Sequence, residues 1–202
     1  MNPADRLIVA LDLPVDDSFD LVGKLRLHVS MIKLGIGTFL HPRGWILADR
    51  ISREGICLML DLKLYDTRDT VRRTMECVAK LGASMVTVHA DCAEHATGFG
   101  PKVLAVRALT DGTGRWRLPE AAMVDGIVCP VSHARALRAH TDKLLVCPGI
   151  RPVGIYAHNH KTPATPYGAI KAGADYIVVG RPIYAAHDPV AAVRAITREM
   201  AE

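Results

Sequence analysis

The chain of 202 residues has no uncharged apolar run near the ~18 residues that a membrane helix requires; its longest, such as 7–11 and 176–180, are far shorter. Its N-terminus, Met-Asn-Pro-Ala-Asp-Arg, has no basic leader region and no small-residue cleavage site, so a cytoplasmic protein with no membrane association is expected. The five cysteines, Cys57, Cys77, Cys92, Cys129 and Cys147, are odd in number and lie 15 or more residues apart. That spacing offers neither a disulfide framework nor a Cys-x-x-Cys site, and buried reduced thiols are the expectation. No basic block is present either. Lys plus Arg number 25 against 21 Asp plus Glu, a net +4 with signs interspersed. This mild charge steers an anionic small molecule and does not indicate nucleic acid as a partner. Arg115-Trp116-Arg117, one aromatic between two arginines, reads as a loop packed on a surface. No repeat, low-complexity tract or linker divides residues 1–202, which are expected to form a single domain.

Half of the residues are hydrophobic and 23% are charged, the ordinary range for a globular domain with a sizeable core. Eight apolar runs recur at 7–11, 31–34, 56–60, 85–88, 103–109, 126–129, 144–147 and 176–179. Several are continuous and not alternating, the pattern of parallel strands covered on both faces. Helical periodicity lies between most of them, as in 70–81 with Val71, Met75, Val78 and Leu81 on one face, and in 189–200 with Val190, Val193 and Ile196. Eight such units predict a compact α/β chain, a (β/α)8 TIM barrel. The fourth and fifth helices should be shortened, because the intervals 91–102 and 110–125 are brief or rich in glycine and proline. A doubly wound open sheet would ordinarily carry a Gly-rich turn after its first strand, and Asp12-Leu13-Pro14 is not one.

In a barrel the strand C-termini form the active face, so the residues that close each run carry the chemistry. They are charged: Asp12, Lys33, Asp61 with Lys63, His89 and Arg181. A strand period of two places Asp61 and Lys63 on one face, with Leu60, Leu62 and Leu64 on the other. Asp66 follows in the next turn and Lys33 arrives from the adjacent strand, so two lysines and two aspartates are expected to alternate in the mouth. Each opposite-charge contact at ~4 Å and an effective dielectric of ~20 gives about 4 kcal/mol before desolvation. Desolvation offsets that gain, so function explains the cluster better than stability does.

Asp61-x-Lys63-x-x-Asp66, preceded by Lys33-Leu34-Gly35, resembles the catalytic signature of the orotidine 5′-phosphate decarboxylases. The resemblance continues in order along the chain: Arg6 to Asp12 is similar to that family's first strand, and Val86-Thr87-Val88-His89-Ala90 to its fourth. Pro148-Gly149-Ile150-Arg151-Pro152 is similar to the loop after the seventh strand, and Gly173 to Ile183 to the eighth strand with its phosphate-binding turn. The resemblance implies that orotidine 5′-phosphate loses carbon dioxide to give UMP, the last step of de novo pyrimidine synthesis. Catalysis would fall to Lys33, Asp61, Lys63 and Asp66, with Lys63 protonating the C6 carbanion. Asp12, Thr70, Pro148, Gly149, His160, Gly180 and Arg181 would bind substrate. It further implies a homodimer in which Asp66 and Thr70 reach into the partner's site.

Related hexulose-phosphate synthases and ketogulonate-phosphate decarboxylases share the Asp-x-Lys-x-x-Asp motif but use a metal and carry glutamate where this chain has Lys33. An ammonium at that place repels a cation, so no metal and no cofactor are expected. A metal-dependent enzyme of that kind and a non-catalytic phosphate-binding barrel are the alternative readings. The chain departs from the decarboxylase pattern at His160, where the family usually has glutamine, and at Asp111, near a usual serine. Tyr65, Thr67, Arg68 and Asp69 also replace the usual His, Ile, Pro and Asn.

Overall fold

Each of the eight apolar runs forms a parallel strand, and the strands close on themselves in sequence order. The computed structural model describes residues 2–106, 123–154 and 164–202. The strands are β1 (Leu7–Ala10), β2 (Met31–Gly35), β3 (Cys57–Leu64), β4 (Met85–His89), β5 (Lys102–Val106), β6 (Gly126–Val128), β7 (Leu144–Cys147) and β8 (Tyr176–Val179). This is a TIM barrel. The helices are α1 (Val15–Leu25), α2 (Ile36–Phe39), α3 (Gly44–Arg53), α4 (Arg68–Lys80), α5 (Val131–Arg138), α6 (Pro166–Lys171), α7 (Arg181–Tyr184) and α8 (Pro189–Glu199). Among the described residues no helix is long and apolar enough to cross a membrane.

Helix boundaries follow local chemistry. Asp188 and Thr165 cap α8 and α6 by accepting from the backbone N–H of Ala191 and Gly168, and a proline opens each helix. Val71, Met75 and Val78 form the buried stripe of α4, as the periodicity predicts. The interval after β4 holds only a 3-10 turn, Ala90–His95, in place of a full helix. Gly98 and Gly100 cause this: both adopt positive φ, 86° and 107°, and Pro101 follows. The predicted shortening in 110–125, the last residues of the fifth apolar run, Asp111 and the Arg115-Trp116-Arg117 triplet lie wholly or mainly outside the described residues.

Alternation along the strands sorts side chains into two cores. Outward residues such as Leu7, Val9, Ile32, Leu58, Val86 and Ile177 pack under the helices. Inward residues, including Ala10, Met31, Met59, Met85, Leu104, Val146 and Val178, fill the barrel. One step of two further along these inward columns come Asp12, Lys33, Asp61, Thr87, Val106, Pro148 and Gly180. The apolar filling therefore stops at one level and a polar mouth begins above it.

Two expectations need correction. Cys92, Cys129 and Cys147 are buried free thiols, whereas Cys57 and Cys77 are exposed. β3 is also longer than its apolar run and is irregular. Leu60 pairs with Val86 but Leu64 with Val88, so four steps on β3 match two on β4. The simple period of two therefore does not hold across Lys63, whose φ is 48°.

Candidate active site

The mouth encloses a cavity of about 270 Å³ lined by residues from all eight strand ends. Asp12, Lys33, Asp61, Lys63, Pro148, Gly149, Gly180 and Arg181, all predicted from sequence, line it together. Asp66 and Thr70 do not: both are exposed in the turn and first helical turn beyond β3. His160 lies outside the described residues.

Lys33 is 7% exposed, and its ammonium lies 3.3 Å from Asp12 Oδ1 and 3.2 Å from Asp61 Oδ2. Lys63 Nζ donates to the other oxygen, Asp61 Oδ1, at 2.7 Å. The alternating chain of charges is thus Asp12, Lys33, Asp61, Lys63, with Asp12 in the place expected for Asp66. A buried charge requires such pairing, since the Lys33 ammonium would otherwise lose its hydration uncompensated. Burial works to raise the Asp61 pKa. Against it act the Lys33 charge, the Lys63 hydrogen bond and charge, and the Thr87 hydroxyl, and the carboxyl ends below its ordinary value.

Asp66 is held away from this cluster by its own backbone neighbourhood. Its carboxylate accepts the Thr67 N–H at 2.7 Å. That bond, followed by one from the Thr70 side chain, draws its pKa down. An aspartate one residue before a helix N-cap commonly turns to backbone donors in this way. Lys63 therefore has one acidic neighbour, Asp61, among the described residues, not two.

The opposite side of the mouth is cationic. Gly149, at φ 79°, makes the turn after β7 that brings Arg151 back to the cavity. A side chain at Gly149 would be strained there. Arg151 is 7% exposed and donates to the Ile150 carbonyl at 2.7 Å. Burial and then the nearby Arg181 charge lower its pKa, with Tyr184 acting in the other direction. Among the described residues neither arginine has a carboxylate partner within 4.0 Å. Two guanidiniums beside the Gly180 backbone have the donor geometry and charge that suit a multiply charged anion.

Arg151, Thr87 and Tyr184 are site residues that the sequence reading did not single out. Thr87 was accessible from the inward column Met59 to Asp61 applied to its neighbour, Met85 to Thr87. Arg151 stood in the quoted loop motif, but its burial depends on the turn at Gly149. Among the described residues no group of three or more His, Cys, Asp or Glu could hold a metal ion.

Residues 5–196 match the family described as Orotidine 5′-phosphate decarboxylase / HUMPS family. The orotidine 5′-phosphate decarboxylase of Methylobacterium sp. (strain 4-46) is 37% identical over 232 positions, covering 100% of this chain and 98% of the relative. That of Afipia carboxidovorans is 40% identical over 227 positions, covering 99% and 96%. The crystal structure of orotidine 5′-phosphate decarboxylase from Lactobacillus acidophilus superposes with a TM-score of 0.83 at 30% identity, over 98% of this chain and 100% of that one.

Proposed function

Because the chain belongs to the orotidine 5′-phosphate decarboxylase / HUMPS family, we propose that it is a carboxy-lyase converting orotidine 5′-phosphate to UMP and carbon dioxide, the last step of de novo pyrimidine synthesis. The observation that carries this reading is the ion chain ending in Lys63 at the cavity wall. Breaking the bond between C6 and the carboxylate leaves its electron pair on C6. The Lys63 ammonium stabilises that developing charge and then transfers its proton to C6. Asp61 pairs with the Lys63 ammonium until that moment and, facing the substrate carboxylate, loses an unfavourable neighbour as neutral carbon dioxide departs.

Lys33 and Asp12 orient Asp61 and meet the ribose hydroxyls. Arg181, Arg151 and the Gly180 N–H receive the phosphate, and binding energy from this remote group is realised in the transition state. Pro148 and Gly149 wall the pyrimidine side, and His160 bonds the bound nucleotide. Asp66 and Thr70, exposed beyond the mouth, complete the site of a second copy in a cytoplasmic homodimer that acts as one domain per chain.

The reaction runs without metal or cofactor. Supporting this, the Lys33 ammonium fills the space between Asp12 and Asp61 that a bridging divalent cation would occupy. The test is loss of orotidine 5′-phosphate, followed by ultraviolet absorbance, with EDTA present. Full turnover is expected. Turnover of a ketohexose phosphate that EDTA abolishes would transfer the chain to the metal-dependent branch of the family.

A further inference from the structure

Thr87 closes the inward column of β4 and is 1% exposed at the wall of the cavity. Its hydroxyl is used twice. It accepts the Lys63 backbone N–H at 2.9 Å and donates to Asp61 Oδ1 at 2.8 Å. The same carboxylate oxygen receives the Lys63 ammonium at 2.7 Å. One hydroxyl therefore ties together the backbone that carries the lysine and the counter-ion that holds its charge.

The backbone at Lys63 has a particular need for this support. Lys63 is the only non-glycine with positive φ among the described residues. It also sits inside the irregular stretch where β3 and β4 lose register, so its N–H is satisfied by the Thr87 side chain in place of a strand carbonyl. A lysine without a glycine's freedom persists in such a conformation only when its surroundings hold it there. A hydroxyl fits both bonds because it has one proton for the carboxylate and lone pairs for the amide.

The geometry points to Thr87 as a positioning residue for the decarboxylation: its hydroxyl locks Lys63 in the left-handed turn and aims Asp61 at the ammonium. The inference rests on the functional reading of Lys63 above and adds the group that sets its position. Among the described residues the groups facing Asp61 are Lys33 from β2, Lys63 on its own strand and Thr87 from β4, with Asp12 across Lys33. Removing the hydroxyl removes one of the contacts that keep Asp61 ionised, so its pKa rises.

The test compares Thr87→Val, which keeps the shape and loses both hydrogen bonds, with Thr87→Ser, which keeps both. For Thr87→Val, kcat for orotidine 5′-phosphate should fall about 10- to 100-fold with KM changed less than about threefold, and the acidic limb of the pH profile should move upward. Thr87→Ser should restore kcat to within about threefold of wild type and return the limb to its place. Two readouts need no substrate: the Asp61 carboxyl titration by ¹³C NMR and hydrogen exchange at the Lys63 amide. Thr87→Val should raise the first and speed the second, and Thr87→Ser should change neither. An active wild type whose Thr87→Val variant keeps its kcat, its acidic limb and its Lys63 exchange overturns the inference. So does an equal loss in both variants accompanied by a lowered melting temperature, which marks a merely structural role. A wild type inactive on this substrate, but showing the Asp61 and Lys63 responses, overturns the functional reading and supports the positioning role.

Discussion

Strands β1 to β4 bring Asp12, Lys33, Asp61, Lys63 and Thr87 to the mouth, and every charge among them lies within 3.3 Å of an opposite one. Strands β5 to β8 and their loops bring Val106, Val128, Pro148, Arg151, Arg181 and Tyr184, with two cations and no carboxylate among the described lining residues. The first half is neutral as a whole and its charges hold one another in place. The described lining of the second half is positive, with two guanidiniums that have no carboxylate within 4.0 Å among the described residues. Preorganised ions suit a place where charge is created during a reaction, because they need no reorganisation at that moment. An unbalanced pair of guanidiniums suits a place where a permanent anion is bound. The two halves should therefore respond differently to the loss of one residue.

The largest effect should come from Lys63→Ala. In the proposed mechanism it removes both the stabilising charge and the proton donor, and kcat should fall roughly 10⁴-fold, within the range that a general acid and an electrostatic stabiliser supply. UMP affinity should change far less, since the phosphate half is intact. Steady-state kinetics combined with UMP titration checks this. Equal losses in kcat and UMP affinity would mean that the two halves do not divide the work.

The positions of these residues were legible in sequence wherever a local period decides them. Continuous apolar runs marked the strands because parallel strands are covered on both faces, and a step of two from Met31 and Met59 reaches Lys33 and Asp61. What was not legible depends on contacts between segments distant in sequence. The irregularity in β3 arises from its pairing with β4, so the route by which Lys63 faces the cavity is absent from β3 alone. Asp66 was expected in the ion cluster, yet the N–H of the next residue holds it at the rim. Thr87, in Val-Thr-Val-His, reads as a common β-former until Lys63 and Asp61 are seen on either side of its hydroxyl. Arg151 acquires its role only once the Gly149 turn folds it inward.

A second prediction concerns the mutual support within the charged half. Asp61 has a depressed folded pKa, so its contribution to stability is present above the unfolded value of about 3.9 and is lost as pH falls through the lower folded value. Asp61→Asn leaves Lys33 and Lys63 short of their shared partner. It should destabilise the fold by about 3 kcal/mol at pH 7, the scale for breaking a buried pair from one side. Below the folded pKa of Asp61 the deficit should shrink, because the wild-type carboxyl is then neutral too. Urea unfolding midpoints of both proteins between pH 2.5 and pH 7 measure this, at values roughly bracketing the unfolded carboxylate pKa. A deficit independent of pH would assign the effect to packing instead of charge.

The smallest expected effect lies in the cationic half and distinguishes it most directly. Arg181→Ala should reduce kcat/KM for orotidine 5′-phosphate about 30-fold, corresponding to about 2 kcal/mol for a charge-assisted contact to phosphate. In the proposed binding mode Arg151 remains to hold part of the dianion, so binding should be weakened and not abolished. The fold should tolerate the change, because Arg181 has no acidic partner within 4.0 Å among the described residues and its removal strands no buried carboxylate. The deciding comparison uses orotidine, the nucleoside without the phosphate. Wild type and Arg181→Ala should process it at the same low rate, since the arginine then has nothing to hold. A 30-fold loss that persists on the nucleoside would show that Arg181 acts on the pyrimidine end, and the separation between a neutral reacting half and a cationic binding half would fail.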